Sequence, residues 1–431
     1  MPADPLKLGI AGIGTVGAAL TRLIARQAEN FARVGRDIRI AAYSARAAGD
    51  RGLPLGEAAF FADPREMAAR ADIDVFVELI GGADGVAYEA AKAALARGLA
   101  VVTANKAMLA AHGLELAELA EKAHAPLAFE AAVGGGVPII KTLREAMAGN
   151  RVRRVSGILN GTCNFILSKM ETERLPFDVC LKEAQRLGYA EADPTFDVGG
   201  FDTAHKLSIL AALAFGARID AEAISVEGIE NITLADLVAA DELGFRVKLL
   251  GVAAATGHGV EQRVHPTMVA KTTPLAQTMG VLNAVTIDGD AVGALTLVGP
   301  GAGGDATASA VAADIGDIAR GGAALAFGRP VAALTALDRV SLQRHEGGYY
   351  VRLSVLDRPG AMAKIATRMA DRSISLDSIM QKRTAADESP YVSVVIVTHA
   401  TTETSIREAL ALTMQDGFVR DKPQVIRIER P

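Results

Sequence analysis

The chain opens on an apolar run, LKLGIA at 6–11, which stops at Gly12-Ile13-Gly14-Thr15-Val16-Gly17. The segment from 18 to about 29 is rich in alanine and leucine and reads as a helix. Further apolar runs at 37–43, 73–79, 100–103 and 126–130 predict strands, with helix candidates at 87–97 and from 106 to about 124. Strands alternating with helices across short turns predict a doubly wound, mainly parallel sheet of Rossmann type. Ligands on such sheets bind at the carboxyl ends of the strands.

From about 131 the pattern changes. Gly134-Gly135-Gly136 precedes Val137-Pro138, and strand-like and helical stretches then alternate less regularly to about 335, as in an α+β domain. A third pattern starts near 346. Strands are predicted at 349–355, 375–381, 391–398 and 424–428, with helices at 361–371 and 403–413. That βαββαβ order is ferredoxin-like. The expected division is therefore 1–130, 131–335 and 346–429, with a joint at 335–348. The segment after about 305 could pack back on the first part. No fixed-period repeat or low-complexity tract is visible.

Composition narrows the class. At 431 residues, half of them hydrophobic and 22% charged, the chain can bury about three domain cores. A net charge of −5 gives no pull toward nucleic acid. The two cysteines, Cys163 and Cys180, form no CxxC pair, which fits a reducing compartment and excludes a disulfide framework. The most apolar stretch, 291–304, is broken by glycines and Pro300, so no membrane span is expected. The N-terminus lacks the features of a signal peptide, and the expected location is cytoplasmic.

GxGxxG alone is weak evidence, but here it joins a first strand to a first helix. In that position the glycines allow close backbone approach and the helix N-terminus offers N–H groups to a pyrophosphate. Gly12, Ile13, Gly14, Thr15, Val16 and Gly17 are the expected cofactor contacts; the other reading is a plain packing turn. The second strand ends Tyr43-Ser44-Ala45-Arg46 with no acid, so Arg46 favours a 2′-phosphate and NADP over NAD, unless it simply faces solvent. Thr103, Asn105 and Lys106 cluster after the fourth strand; Thr103 and Lys106 are expected near the cofactor. A second glycine turn, 299–305, either closes over the cofactor through Gly303 or permits a sharp bend.

The stretch GYAEADP at 188–194, followed by Asp197, Asp202 and Lys206, is the richest in chemistry. Asp202 and Lys206 share one helix face, either as an exposed ion pair or as part of a site. Carboxylates suit an amine substrate, and a lysine held among them can give a proton to a carbonyl oxygen. Cys163 has no flanking histidine, and His205 and His265 are isolated, so these three read as structural.

Together these residues resemble the homoserine dehydrogenase family, in the form without a fused kinase and with a C-terminal ACT domain. The resemblance is carried by GIGTVG at 12–17, ELIGG at 78–82, TANK at 103–106, FEAAVGGGVPII at 129–140, LNGTCNFIL at 159–167, GYAEADP at 188–194, DVGGFDTAHK at 197–206 and GPGAGGDATASAV at 299–311. It covers nearly the whole chain. It implies NAD(P)H-dependent, reversible reduction of L-aspartate 4-semialdehyde to L-homoserine. Lys206 would be the proton donor, Glu191, Asp197 and Asp202 would line the amino acid site with Glu191 on the substrate ammonium, and Lys106 would lie near both substrate and cofactor; Lys206, Asp202 and Lys106 are the expected catalytic residues. A monovalent cation such as Na⁺ would bind at Glu130, Val133, Gly135 and Val137. The segment DRPGAMAKI at 357–365 resembles an ACT domain. Such domains pair across chains, and this one implies L-threonine as an effector or serves assembly alone, in a homodimer or homotetramer. Two rivals remain open: an aspartate-semialdehyde dehydrogenase acting through Cys163, and a non-catalytic amino acid sensor.

Overall fold

Leucine-, valine- and isoleucine-rich runs between alanine-rich helices give a six-stranded parallel sheet: β1 (Leu6–Ala11), β2 (Ile38–Ser44), β3 (Ala59–Phe61), β4 (Val75–Glu78), β5 (Ala100–Thr103) and β6 (Leu127–Ala128). The computed structural model describes residues 4–49, 52–322, 324–337, 345–382 and 389–429. The spatial order is β3-β2-β1-β4-β5-β6. Every residue of β4 and β5 is buried, because helices cover both faces of a parallel sheet. Ala11, Glu78 and Thr103 stand side by side, so β1, β4 and β5 end at one edge.

Several boundaries differ from the sequence expectation. The first helix runs Thr15–Arg26, starting inside the glycine turn, and a second follows at Ala28–Val34. The strand expected at 126–130 shrinks to Leu127–Ala128, followed by a 3₁₀ turn, Glu130–Ala132. Strand β3 has three residues, none of them buried, and the apolar run at 58–62 that contains it was not among the predicted strands. Helix Gly304–Ala319 returns to the first core, where Ala308, Val311 and Ile315 pack with Leu8, Ile10 and Leu20.

The remaining strands form one eleven-stranded sheet. They are β7 (Val152–Ile158), β8 (Ser225–Val226), β9 (Phe245–Thr256), β10 (Gly259–Ala270), β11 (Leu282–Gly289), β12 (Gly293–Pro300), β13 (Glu346–Leu356), β14 (Leu376–Lys382), β15 (Tyr391–Thr398), β16 (Thr401–Thr402) and β17 (Gln424–Glu429). Its path is β12-β11-β7-β9-β10-β17-β13-β15-β14. The C-terminal ferredoxin-like unit is therefore not a separate bead. Its last strand, β17, runs parallel to β10 over Thr267–Val269 and Arg427–Glu429.

Period-two alternation on β13 explains how that unit is covered on both faces. Tyr349, Val351 and Leu353 pack under helices Ala361–Ala370 and Glu403–Gln415, while Tyr350 joins the core of the middle domain with Val395, Val397 and Ile426. Ion pairs ring the seam. Arg427 reaches Glu403 and Glu227, Arg263 reaches Glu261 and Glu429, and Arg352 reaches the fully buried Asp236. Half of the expected joint at 335–348, residues 338–344, lies outside the described residues. Among them, no helix is long and apolar enough to cross a membrane.

Candidate active site

Gly12 stands where the backbone must turn and pass close to its neighbour. Its φ is +99°, and a Cβ there would lie 2.6 Å from the Leu79 carbonyl oxygen. At Gly17 a Cβ would lie 2.1 Å from the Gly12 carbonyl oxygen. Gly14 differs: a Cβ there would meet nothing within 4 Å, and Gly14 caps helix Thr15–Arg26 without any side-chain hydrogen bond. The first N–H groups of that helix are thus open to an anion. Ile13 is buried, Val16 is half-buried and Thr15 is exposed, so Ile13 can offer only its backbone.

A second helix start lies beside the first. Gly303 caps helix Gly304–Ala319, again with no side-chain hydrogen bond, and a Cβ on Gly304 would sit 3.2 Å from the Thr15 carbonyl oxygen. The third glycine turn closes against it, with Gly136 N–H donating to the Pro300 carbonyl at 2.9 Å. Two uncapped helix N-termini side by side suit a dinucleotide pyrophosphate. Arg46 is exposed just beyond the end of β2, and Ser44 is buried.

Thr103 ends β5 beside Glu78. It is fully buried and its hydroxyl donates to Glu78 at 2.5 Å, so its side chain braces the turn. Glu78 also accepts the Ile80 and Gly81 N–H groups, and Asn105 caps helix Lys106–Ala123 through Met108 N–H while donating to the Gly82 carbonyl. These bonds tie the β4 and β5 turns together and aim Lys106.

From that helix start Lys106 reaches across to the middle domain, where its Nζ lies 3.2 Å from Asp202. Asp202 sits in the first turn of helix Phe201–Phe215, and one turn later Lys206 donates to it at 2.7 Å and to the Leu159 carbonyl at 2.7 Å. Burial alone would push the Asp202 carboxyl up. The ammonium groups of Lys206 and Lys106 and the bonds from Lys206 and Asn160 outweigh it and hold the carboxyl at about 2. Burial does raise Asp197, against the bond it accepts from Asn160 at 2.8 Å. An ammonium has three donors. Two of those on Lys206 are spent within the chain, and one is left for a substrate oxygen.

Glu191 is not brought into this cluster. Its loop is exposed, and its backbone carbonyl, not its carboxylate, accepts from Gln185 at 3.0 Å. Asn160, in turn, escaped sequence reasoning. It caps helix Gly161–Glu173 through Cys163 N–H; it lies in the LNGTCNFIL motif, but only an amide just before an apolar helical run hinted at this role. Cys163 is fully buried, donates from Sγ to the Asp197 carbonyl at 3.2 Å, and is pushed well above the usual thiol range by burial. That thiol is no activated nucleophile. His205 packs edge-on against Phe196, and its buried Nδ1 has no hydrogen-bond partner among the described residues.

At the expected cation position both Glu130 carboxylate oxygens accept backbone N–H groups, from Ile140 and Lys141 at 2.8 Å each. The Val137 carbonyl accepts Ile139 N–H at 2.7 Å, while those of Val133 and Gly135 take no hydrogen bond among the described residues. An all-oxygen donor set fits a hard cation.

A nucleotide cradle at one sheet edge, meeting a lysine–carboxylate cluster from a second domain, defines an oxidoreductase that uses a nicotinamide nucleotide. Residues 12–130 match the family model "Homoserine dehydrogenase, NAD binding domain", residues 138–315 match "Homoserine dehydrogenase", and residues 349–411 match "ACT domain". The homoserine dehydrogenase of Neisseria gonorrhoeae is 43% identical over 99% of both chains, and that of Pseudomonas aeruginosa is 44% identical over 94% of this chain and 95% of its own. A solved homoserine dehydrogenase from Thiobacillus denitrificans superposes with a TM-score of 0.92 at 40% identity, covering 99% of each chain. A hyperthermophilic archaeal homoserine dehydrogenase solved in complex with NADPH covers 73% of this chain and 97% of its own, with a TM-score of 0.63 at 30% identity. The chain belongs to the homoserine dehydrogenase family, in the form that ends in an ACT domain.

Proposed function

We propose that this chain reduces L-aspartate 4-semialdehyde to L-homoserine, and catalyses the reverse, with Lys206 as proton donor. The observation that carries the reading is the Lys206–Asp202–Lys106 cluster, which joins the nucleotide domain to the middle domain. When bound, the reduced nicotinamide supplies the hydride. Lys206 offers its third N–H to the aldehyde oxygen and steadies the negative charge that develops there. Asp202 stays ionised and holds Lys206 in place. Asp197 and Glu191 bind the substrate ammonium. Lys106 draws on the substrate from the cofactor side.

The nucleotide lies along Gly12, Ile13, Gly14, Thr15, Val16 and Gly17, with Gly303 and Lys106 beside it and Thr103 acting through the turn it braces. NADP(H) is preferred, supported by the exposed Arg46 and by the NADPH-bound archaeal relative. Removing the Arg46 fork in Arg46→Ala is expected to raise KM for NADP⁺ about tenfold, the value of one charge-assisted contact, and to leave KM for NAD⁺ unchanged. Steady-state rates with both nucleotides check this, and an equal change for the two would remove Arg46 from the 2′-phosphate.

The backbone carbonyls of Glu130, Val133, Gly135 and Val137 would hold a monovalent cation such as Na⁺, which would stiffen the turn. The units are 1–130, 131–335 and 346–429, with the helix after Gly303 returning to the first. The protein works in the cytoplasm as a homodimer or homotetramer with both buried cysteines reduced. L-Threonine acts through the ACT unit. Support comes from the seam: Arg427 bonds Glu227, Glu227 N–H bonds the Val264 carbonyl, and Val264 lies directly under Gly200, where the catalytic helix starts. Homoserine oxidation with NADP⁺ and NAD⁺, with and without threonine, tests the reaction, the nucleotide preference and the effector. Threonine should lower the rate; an unchanged rate makes the ACT unit an assembly device.

A further inference from the structure

Asn160 lies between β7 and helix Gly161–Glu173, is 4% exposed, and uses both donors of its NH₂ and its carbonyl oxygen. Oδ1 accepts Cys163 N–H at 2.8 Å. A backbone N–H can only donate, so the amide cannot be turned over, and its NH₂ must point the other way. There Nδ2 donates to Asp197 Oδ1 at 2.8 Å and to Asp202 Oδ2 at 2.8 Å. The second of these is the same oxygen that takes the Lys206 ammonium at 2.7 Å.

We propose that Asn160 is a positioning residue for the reaction: its NH₂ clasps the Asp197 and Asp202 carboxylates together and so fixes where Asp202 holds Lys206. This rests on the reaction assigned above. Two carboxylates facing one point repel each other, and only a group with two donors and no acceptor on that side can hold both. A lysine there would add charge and disturb Lys206, and a hydroxyl has one hydrogen. The helix cap makes the arrangement rigid, because rotating the NH₂ away would break the Cys163 bond.

The groups facing Asp197 are Asp202 and Lys206 from the catalytic helix, Lys106 from the nucleotide domain and the buried Cys163 thiol. Of these, Asp202 raises the Asp197 carboxyl and the two lysines lower it, as the Asn160 bond does. Without the clasp Asp197 takes up a proton at higher pH. If the active form needs Asp197 ionised, the acid limb of the kcat/KM profile then moves up. Asn160→Ser keeps a helix cap and removes the bridge. Asn160→Asp keeps the shape and cap but sets a third carboxylate against the other two.

The experiment is homoserine oxidation by the full-length protein across pH, alongside thermal unfolding. Asn160→Ser is expected to lower kcat/KM about tenfold to a hundredfold near neutrality, with partial recovery at higher pH, since small misplacements of reacting groups have effects of that order. Its acid limb should move up by about one pH unit, and that of Asn160→Asp at least as far. Variants within about twofold of wild type with an unmoved acid limb overturn the proposal. So does a fall in activity that follows lost thermal stability with an unmoved acid limb, which reduces Asn160 to a helix cap. Wild-type protein that cannot oxidise homoserine sinks the reaction assignment itself, whereas active wild type with unmoved variants sinks only this inference.

Discussion

Lys206→Ala is expected to lower homoserine turnover by about a thousandfold while leaving nucleotide affinity near wild type. The size follows from what positioned proton donors contribute, roughly 10² to 10⁴. Lys206 is the ammonium on the catalytic helix that is held by both Asp202 and the Leu159 carbonyl, so nothing nearby inherits its geometry. Lys106 cannot substitute, because it approaches Asp202 at the other oxygen, from the nucleotide side. Nucleotide affinity should survive because the glycine turn and its two helix starts lie in another domain. Single-turnover rates with saturating nucleotide, together with nucleotide binding by fluorescence, separate the two effects. Turnover within tenfold of wild type would remove Lys206 from the proton step, and loss of nucleotide binding as well would mean the substitution had disturbed the fold.

The nucleotide domain was legible because its signals are local. An apolar run, a glycine turn and an alanine-rich helix each follow from neighbouring residues. Strand β3 was not, since the apolar run around Ala59–Phe61 is short and only pairing with β2, a non-local contact, makes it a strand. In the site, the Asp202–Lys206 pair was visible because an i,i+4 spacing on a helix is a sequence property. Asn160 was not, because its partners lie 37 and 42 positions away and its role exists only once β7 delivers it between them. Glu78 was hidden for the same reason: a buried carboxylate at a strand end looks like any acid until Thr103 is seen to donate to it. The ACT unit was readable as a βαββαβ order, yet its fusion to the middle sheet through β10 and β17 was not. Edge strands carry no mark of the partner they will find.

The glycine turn yields a pair of substitutions with opposite physical meaning. Gly17→Ala is expected to damage the protein itself. Its Cβ would fall 2.1 Å from the Gly12 carbonyl oxygen, a fixed backbone atom, so either β1 or the first helix must shift. The loss of stability should reach or exceed the ~1–3 kcal/mol typical of overpacking, and nucleotide binding should go with it. Gly14→Ala adds the same methyl group where nothing lies within 4 Å, at a φ of −70° that any residue adopts. A packing turn would tolerate it without effect. If Gly14 is instead where the pyrophosphate approaches the backbone, the methyl occupies the ligand's place. Nucleotide affinity then falls by more than about tenfold, a little over 1.4 kcal/mol, at unchanged thermal stability. Calorimetric titration with NADP⁺ beside thermal unfolding reads both quantities on the same samples. Full affinity in Gly14→Ala would move the pyrophosphate away from this helix start and toward the neighbouring one at Gly303.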